Sequence, residues 1–408
     1  MNTVDSRLLT FNMPLRLMLA LGYFLCGVGM TLPIAQQSTP PLIGFLVLIF
    51  IFAIKNMDGR NNAILLAEQQ SIKAHKVFFL LIALMIIAGL PGTLLSIHYA
   101  PEYGLRNIAT LTRLALYLAL AAFSAAITRR YDFDLTVHLL MGTVFTSIWN
   151  FWDFFSGNAT TNSLAGQNPL GYCLSATLPL VAYKLFSPKE KNILLWGPVL
   201  LLLTGATVLT WSKAAWLNVA IIMVTFSLIQ VVKNKRYITT LALATTLAII
   251  YITLQDDISW ILETEISASE GSSSNEMRIS QILNGINIFV QHPWGIGNAT
   301  YPAAAESMGL KFPQGTPPDP HNSYIQVLAG FGLIGLVTYV LALAYIPYTV
   351  MIKTRSVSGD FRWLALLVTF SLYFQGLFIG ELLTQPLSWI LFGYIFGKLP
   401  EDGPEPQR

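Results

Sequence analysis

Five basic side chains and one histidine carry the chemistry this sequence offers. Arg106 and Arg113 are seven residues apart and therefore share one face of a helix. Lys213 sits in Trp211-Ser212-Lys213-Ala214-Ala215-Trp216, Arg278 follows a helix-start pattern, and Lys311 lies in a Pro-rich stretch. His321-Asn322 follow Asp319-Pro320 and open a long apolar run. Guanidinium and ammonium groups neutralise phosphate oxygens, and an imidazole of ordinary pKa, about 6.5, can accept a proton from a hydroxyl. Each residue also has a structural reading. Arg106 near a helix end is an anchor, Lys213 between tryptophans is an interfacial anchor, and His-Asn before a helix is a cap.

The elements that must position these groups are hydrophobic helices. Of 408 residues, 54% are hydrophobic and 11% charged, where a soluble domain carries about 25% charged residues. Apolar runs long enough to cross about 30 Å of hydrocarbon recur along the chain. The expected spans are 15–32, 41–54, 77–97, 106–127, 135–154, 168–186, 192–210, 214–232, 237–254, 322–351, 361–382 and 385–398. The fold class is thus all-α, a polytopic membrane protein of about twelve transmembrane helices with one long loop containing short helices. Its parts are residues 1–254 with nine spans, the loop 255–321, and 322–408 with three spans and a tail.

Lys and Arg resist translocation, so they mark the cytoplasmic side. With the N-terminus inside, all but five of the 24 basic residues are cytoplasmic, the exceptions being Arg106, Arg113, Lys213, Arg278 and Lys311. Both termini are then cytoplasmic and the candidate residues face outward. The net charge of +3 reflects this topology, and no basic and aromatic cluster of the nucleic-acid-binding type is present. Cys26 and Cys173 fall within spans, which argues against a disulfide framework or a cysteine metal site. The histidines show no metal-ligand spacing, so neither metal nor cofactor is expected. The first apolar segment has the length of a retained helix and lacks a small-residue cleavage site.

The loop between Gln255 and Pro320 is acidic and long enough to be functional. Ser273 and Glu276 form a capping box, and Ile279, Ile282, Leu283, Ile286, Phe289 and Val290 follow at helical spacing. A surface helix is expected from there to His292-Pro293, with Arg278 one position off its apolar stripe. Gly295-Ile296-Gly297 then forms a turn.

Three segments together resemble the O-antigen ligase-like family of envelope glycosyltransferases. Trp211 to Leu217 is similar to the family's Ser-Arg-Gly-Ala-Trp segment. Met277-Arg278 leading to His292-Pro293-Trp294-Gly295-Ile296-Gly297 is similar to its Arg, then His-Pro-hydrophobic-Gly-x-Gly pattern. His321-Asn322-Ser323-Tyr324-Ile325 with Gly330-Phe331-Gly332-Leu333-Ile334-Gly335-Leu336 is similar to its His-Asn-x-x-Leu and Gly-x-x-Gly segment. Asn168-Pro169-Leu170-Gly171 fits a looser motif at a helix start.

The resemblance implies a twelve-helix fold of the lipid-to-oligosaccharide glycosyltransferase type in the bacterial inner membrane, with its site facing the periplasm. It implies an undecaprenyl-diphosphate-linked glycan as donor and lipid A-core as acceptor. His321 would be the base and Arg278 a diphosphate contact, joined by Lys213 and Arg113, with Asn322 and Arg106 in support. Lys213 stands where the family usually has arginine, which keeps the charge and loses the bidentate fork. Rival readings with the same donor are an O-antigen polymerase and a protein O-oligosaccharyltransferase. A lipid-linked sugar flippase or transporter would call for repeat symmetry and interrupted helices, and the sequence shows neither.

Overall fold

The structure, a computed structural model, describes residues 13–28, 43–51, 62–99, 101–131, 133–156, 167–186, 193–210, 212–234, 274–310, 320–353, 359–378 and 385–400. The expected ninth span, 237–254, lies outside the described residues, as do 255–273 and 311–319 with Lys311. No β-strand occurs among the described residues. The helices are α1 (Met13–Gly27), α2 (43–51), α3 (Asn62–Ala74), α4 (Lys76–Ala88), α5 (Leu90–Tyr99), α6 (Pro101–Arg130), α7 (Leu135–Phe155) and α8 (Gln167–Phe186). They continue with α9 (Ile193–Val208), α10 (Lys213–Asn234), α11 (Ser274–Gln291), α12 (Tyr301–Ser307), α13 (Ser323–Lys353), α14 (Gly359–Gly376) and α15 (Pro386–Lys398).

The chain is an all-α membrane protein. Lys76–Ile97, Pro101–Arg130 and Ser323–Ile352 are long and apolar enough to cross a bilayer, and Met13–Gly27, Leu170–Leu185, Leu194–Val208 and Lys213–Ile229 are shorter apolar helices. Leu17, Leu80, Leu94, Leu105 and Leu194 are exposed, as side chains in contact with lipid would be. Every expected span except the ninth overlaps a helix.

At the centre is α15, buried along nearly its whole length, which is the signature of a helix apolar on all sides. Small residues let it approach α6 closely. A Cβ at Gly397 would stand 2.6 Å from the Ala125 carbonyl oxygen, and one at Gly393 would stand 2.7 Å from Ser124 Cβ. Trp389 and Phe396 are buried two turns apart on one face of α15, with Phe396 stacked on His75 at 4.3 Å. Arg129, near the end of α6, donates to the carbonyls of Phe396 at 3.0 Å and Leu399 at 3.2 Å, capping the last turn of α15. The ends of α6 and α15 therefore coincide. With 30 residues at 1.5 Å each, α6 is roughly 45 Å long, so Arg106 lies at the far end of the bundle from Arg129.

Two features depart from the sequence expectation. Residues 62–74 form a helix, α3, in a stretch too polar to read as a span. Tertiary contacts hold it: Gln70 accepts from Arg130 at 2.5 Å, and Glu68, Ser71 and His75 are buried at successive turns of one face. Burial pushes the Glu68 carboxyl up to about 8. The second is α13, which is not continuous: Gly332 has φ 72° and ψ −171°, breaking the helix a third of the way along.

Candidate functional site

Lys213 is the first residue of α10 and is exposed there. The preceding segment is tightly built. Ser212 N–H donates to Thr210 Oγ1 at 3.3 Å, Ala215 N–H donates to Ser212 Oγ at 3.4 Å, and Trp216 Nε1 donates to the Val208 carbonyl at 2.8 Å. The ammonium thus joins the partial positive charge of a helix N-terminus, a combination that favours anions. Gly171 packs on this junction, since a Cβ there would stand 2.7 Å from Ala215 Cβ and 2.9 Å from Ser212 Cβ. The first turn of α8 and that of α10 are therefore neighbours.

A buried polar seam links α10 to the start of α13. Asn218 Nδ2 donates to Ser371 Oγ at 2.7 Å, Ser371 Oγ donates to the Ser175 carbonyl at 3.5 Å, and Gln375 Nε2 donates to Ser175 Oγ at 2.8 Å. Beyond the last turn of α14, the Leu377 carbonyl accepts from Asn322 Nδ2 at 2.9 Å. Asn322 Oδ1 in turn accepts from the backbone N–H of Tyr324 at 3.0 Å and Ile325 at 3.1 Å, an N-cap for α13. Lys213 lies a turn and a half before Asn218, and Leu377 as far beyond Ser371 on the antiparallel α14. Lys213 and Asn322 accordingly stand at the same end of the bundle.

His321 has φ 44°, and among the described residues it is the one non-glycine residue with positive φ. Such a conformation costs about 1–3 kcal/mol and persists where the surroundings over-determine it. Pro320 before it is buried, and Asn322 after it is bonded on both its oxygen and its nitrogen. The imidazole is half-buried.

Arg278 is on the second turn of α11, half-buried, in the surface helix that the capping box announces. Gly285 of α11 packs directly on Ile325, one turn into α13, so the Arg278 helix crosses the start of the His321 helix. The chain after α11 turns into the break in α13. Ile296 N–H donates to Ala329 O at 3.0 Å, Gly297 N–H donates to Gly330 O at 2.9 Å, and Leu333 N–H donates to Pro293 O at 3.1 Å. Carbonyls freed by the break are thereby satisfied by the outer turn, residues 293–300, so named for its place at the end of the bundle away from Arg129. Glycines make the approach feasible: Gly295 and Gly297 have φ 85° and 83°, and a Cβ at Gly92 would stand 2.8 Å from Gly295 O.

Arg106 and Arg113 occupy the exposed face of α6. Arg106 lies over the Tyr103 ring at 5.7 Å, a cation–π contact. Arg113 is two turns, about 10 Å, deeper along the axis. Asn107, which the sequence pattern did not single out, is buried beside Arg106 and bonded to the outer turn. Its only sequence signal was an amide inside an apolar run.

Lys213, Arg278, His321, Asn322 and Arg106 thus come to one end of the bundle, with Arg113 below them. Among the described residues no three His, Cys, Asp or Glu side chains gather as a metal-ligand group. Side-chain cations and a helix N-terminus are groups that suit a polyanion, and an imidazole is one that can take a proton from a hydroxyl.

No curated protein matches the chain. Residues 198–340 match the family model described as O-antigen ligase (Wzy_C), a stretch that holds Lys213, Arg278, His321 and Asn322 and leaves Arg106 and Arg113 outside it. Coming on a helical framework fit to cross a bilayer, this match supports an O-antigen ligase-type family for the chain, one of glycosyltransferase-like membrane enzymes.

Proposed function

We propose that the protein is an O-antigen ligase, transferring O-antigen polysaccharide from undecaprenyl diphosphate to a sugar hydroxyl of lipid A-core at the periplasmic face of the inner membrane. The carrying observation is that Lys213, Arg278 and His321 belong to the family-matched stretch and stand at one end of the bundle on three separate elements. The opposite end supports the orientation, because Arg129, Arg130, Lys184 and Lys398 gather there, as they would on the cytoplasmic side.

In this reading the bond between the anomeric carbon and the diphosphate oxygen breaks as a bond from the acceptor oxygen forms. His321 takes the acceptor hydroxyl's proton, and the electron pair leaves on the diphosphate. Arg278 and Lys213, with Arg113 deeper, stabilise that developing charge, and fixed cations do so better than reorganising water. Arg106 and Asn322 support the arrangement. Attack opposite the leaving group inverts the anomeric centre, and neutralisation by side chains leaves no role that requires a metal.

The experiment is transfer by the purified full chain from undecaprenyl-diphosphate glycan, offered either lipid A-core or a second donor molecule. Glycan on lipid A-core is the expected product. Elongation of the donor alone, or no transfer, overturns the ligase reading.

A further inference from the structure

Asn107 belongs to a helix that crosses hydrocarbon, yet its carboxamide is fully engaged and 1% exposed. Nδ2 donates to Ser96 Oγ at 2.9 Å, on α5, and to Thr300 Oγ1 at 2.8 Å. Oδ1 accepts from the Ala299 N–H at 2.6 Å. One side chain on α6 therefore grips two consecutive residues of the outer turn, nearly two hundred positions away. The fit is close, because a Cβ on Gly297 would stand 2.6 Å from Asn107 Cγ. The next residue, Tyr301, is buried and donates its hydroxyl to the Gln281 carbonyl at 2.6 Å. Gln281 is less than one turn of α11 beyond Arg278. Two sets of hydrogen bonds, joined by the peptide bond between Thr300 and Tyr301, thus link the residue beside Arg106 to the turn that carries Arg278.

We propose that Asn107 is a positioning residue for the transfer reaction: by clamping the 299–300 turn, and through Tyr301 and Gln281, it sets the Arg278 helix against the helix bearing Arg106 and Arg113. The proposal rests on the reading of Arg278 as a diphosphate contact. Its physical basis is that charge stabilisation requires cations held within a fraction of an ångström of the developing charge, and a surface helix has no such precision unless it is tied to the bundle. Asparagine suits the task because it both donates and accepts, which neither aspartate nor leucine can do at neutral pH.

The test measures kcat and donor KM of the full-length protein for Asn107→Ala, Asn107→Asp and Tyr301→Phe, alone and combined with Arg278→Lys. Each single variant is expected to lower kcat by about tenfold or more with less than a threefold change in donor KM. In combination with Arg278→Lys the losses should fall short of the product of the single losses, because both act on one guanidinium. Losses that multiply, or an Asn107→Asp enzyme with wild-type kcat, overturn the proposal. If Asn107→Ala does not accumulate, Tyr301→Phe removes a single hydroxyl from the same line, and full activity there overturns it equally. Wild-type protein inactive on every acceptor would instead fault the proposed function.

Discussion

The backbone N–H of Gly297 donates to the carbonyl of Gly330 at 2.9 Å, so the outer turn completes a transmembrane helix that is broken at Gly332. A Cβ at Gly332, where φ is 72°, would stand 2.5 Å from the Pro293 oxygen and 2.6 Å from the Trp294 carbonyl carbon. Gly332→Ala is expected to destabilise the protein by about 1–3 kcal/mol from backbone strain alone. Thermal unfolding in detergent checks this, with a fall in melting temperature as the expected result and an unchanged one against it.

The left-handed backbone of His321 separates its structural from its chemical role. Asparagine tolerates positive φ better than most residues, so His321→Asn should accumulate like wild type while losing the base. Transfer is expected to fall by about 10²–10⁴-fold, with lipid-linked polymer still present in cells. An unchanged ladder of modified lipopolysaccharide would remove the assignment.

Arg278 and Lys213 are expected to respond differently to exchange. Arg278→Ala should reduce transfer more than Arg278→Lys, since lysine keeps the charge and loses only the fork. Lys213→Arg should keep activity and lower the donor KM, whereas Lys213→Ala should raise it. Equal activity of the two Arg278 variants would argue against a diphosphate contact.

Glu68 makes stability depend on pH. Burial raises its folded carboxyl to about 8, above an unfolded value of about 4.3. The folded form then binds more protons between these values, so stability is full below about pH 4 and falls as pH climbs towards 8. Ser71 and His75 share its face of α3, and Tyr131, at the end of α6, is also pushed up to about 12, chiefly by burial and in part by the Glu68 charge. Glu68→Gln should flatten that decline in thermal melts at pH 5 and pH 8, and parallel declines in both proteins would exclude Glu68 as its source.

Much of this was legible in the sequence for simple reasons. A helix must be predominantly apolar over about 20 residues to lie in a bilayer, so composition and run length identified the membrane class and most helix positions. The capping pattern and apolar spacing located the surface helix to within a residue or two of Ser274–Gln291, because both are local. The candidate residues could be named because all but five of the basic residues fall in segments that the positive-inside pattern assigns to the other side. Other features were decided only in three dimensions. The break at Gly332 depends on Ile296 and Gly297 arriving to take the freed carbonyls, α3 depends on the Arg130 side chain, and the role of Asn107 depends on partners 192 and 193 residues away. A hydrophobic pattern reports which residues avoid water. It carries no information about which distant donor meets which acceptor, and that pairing is what brings scattered cations and one imidazole to the same end of the bundle.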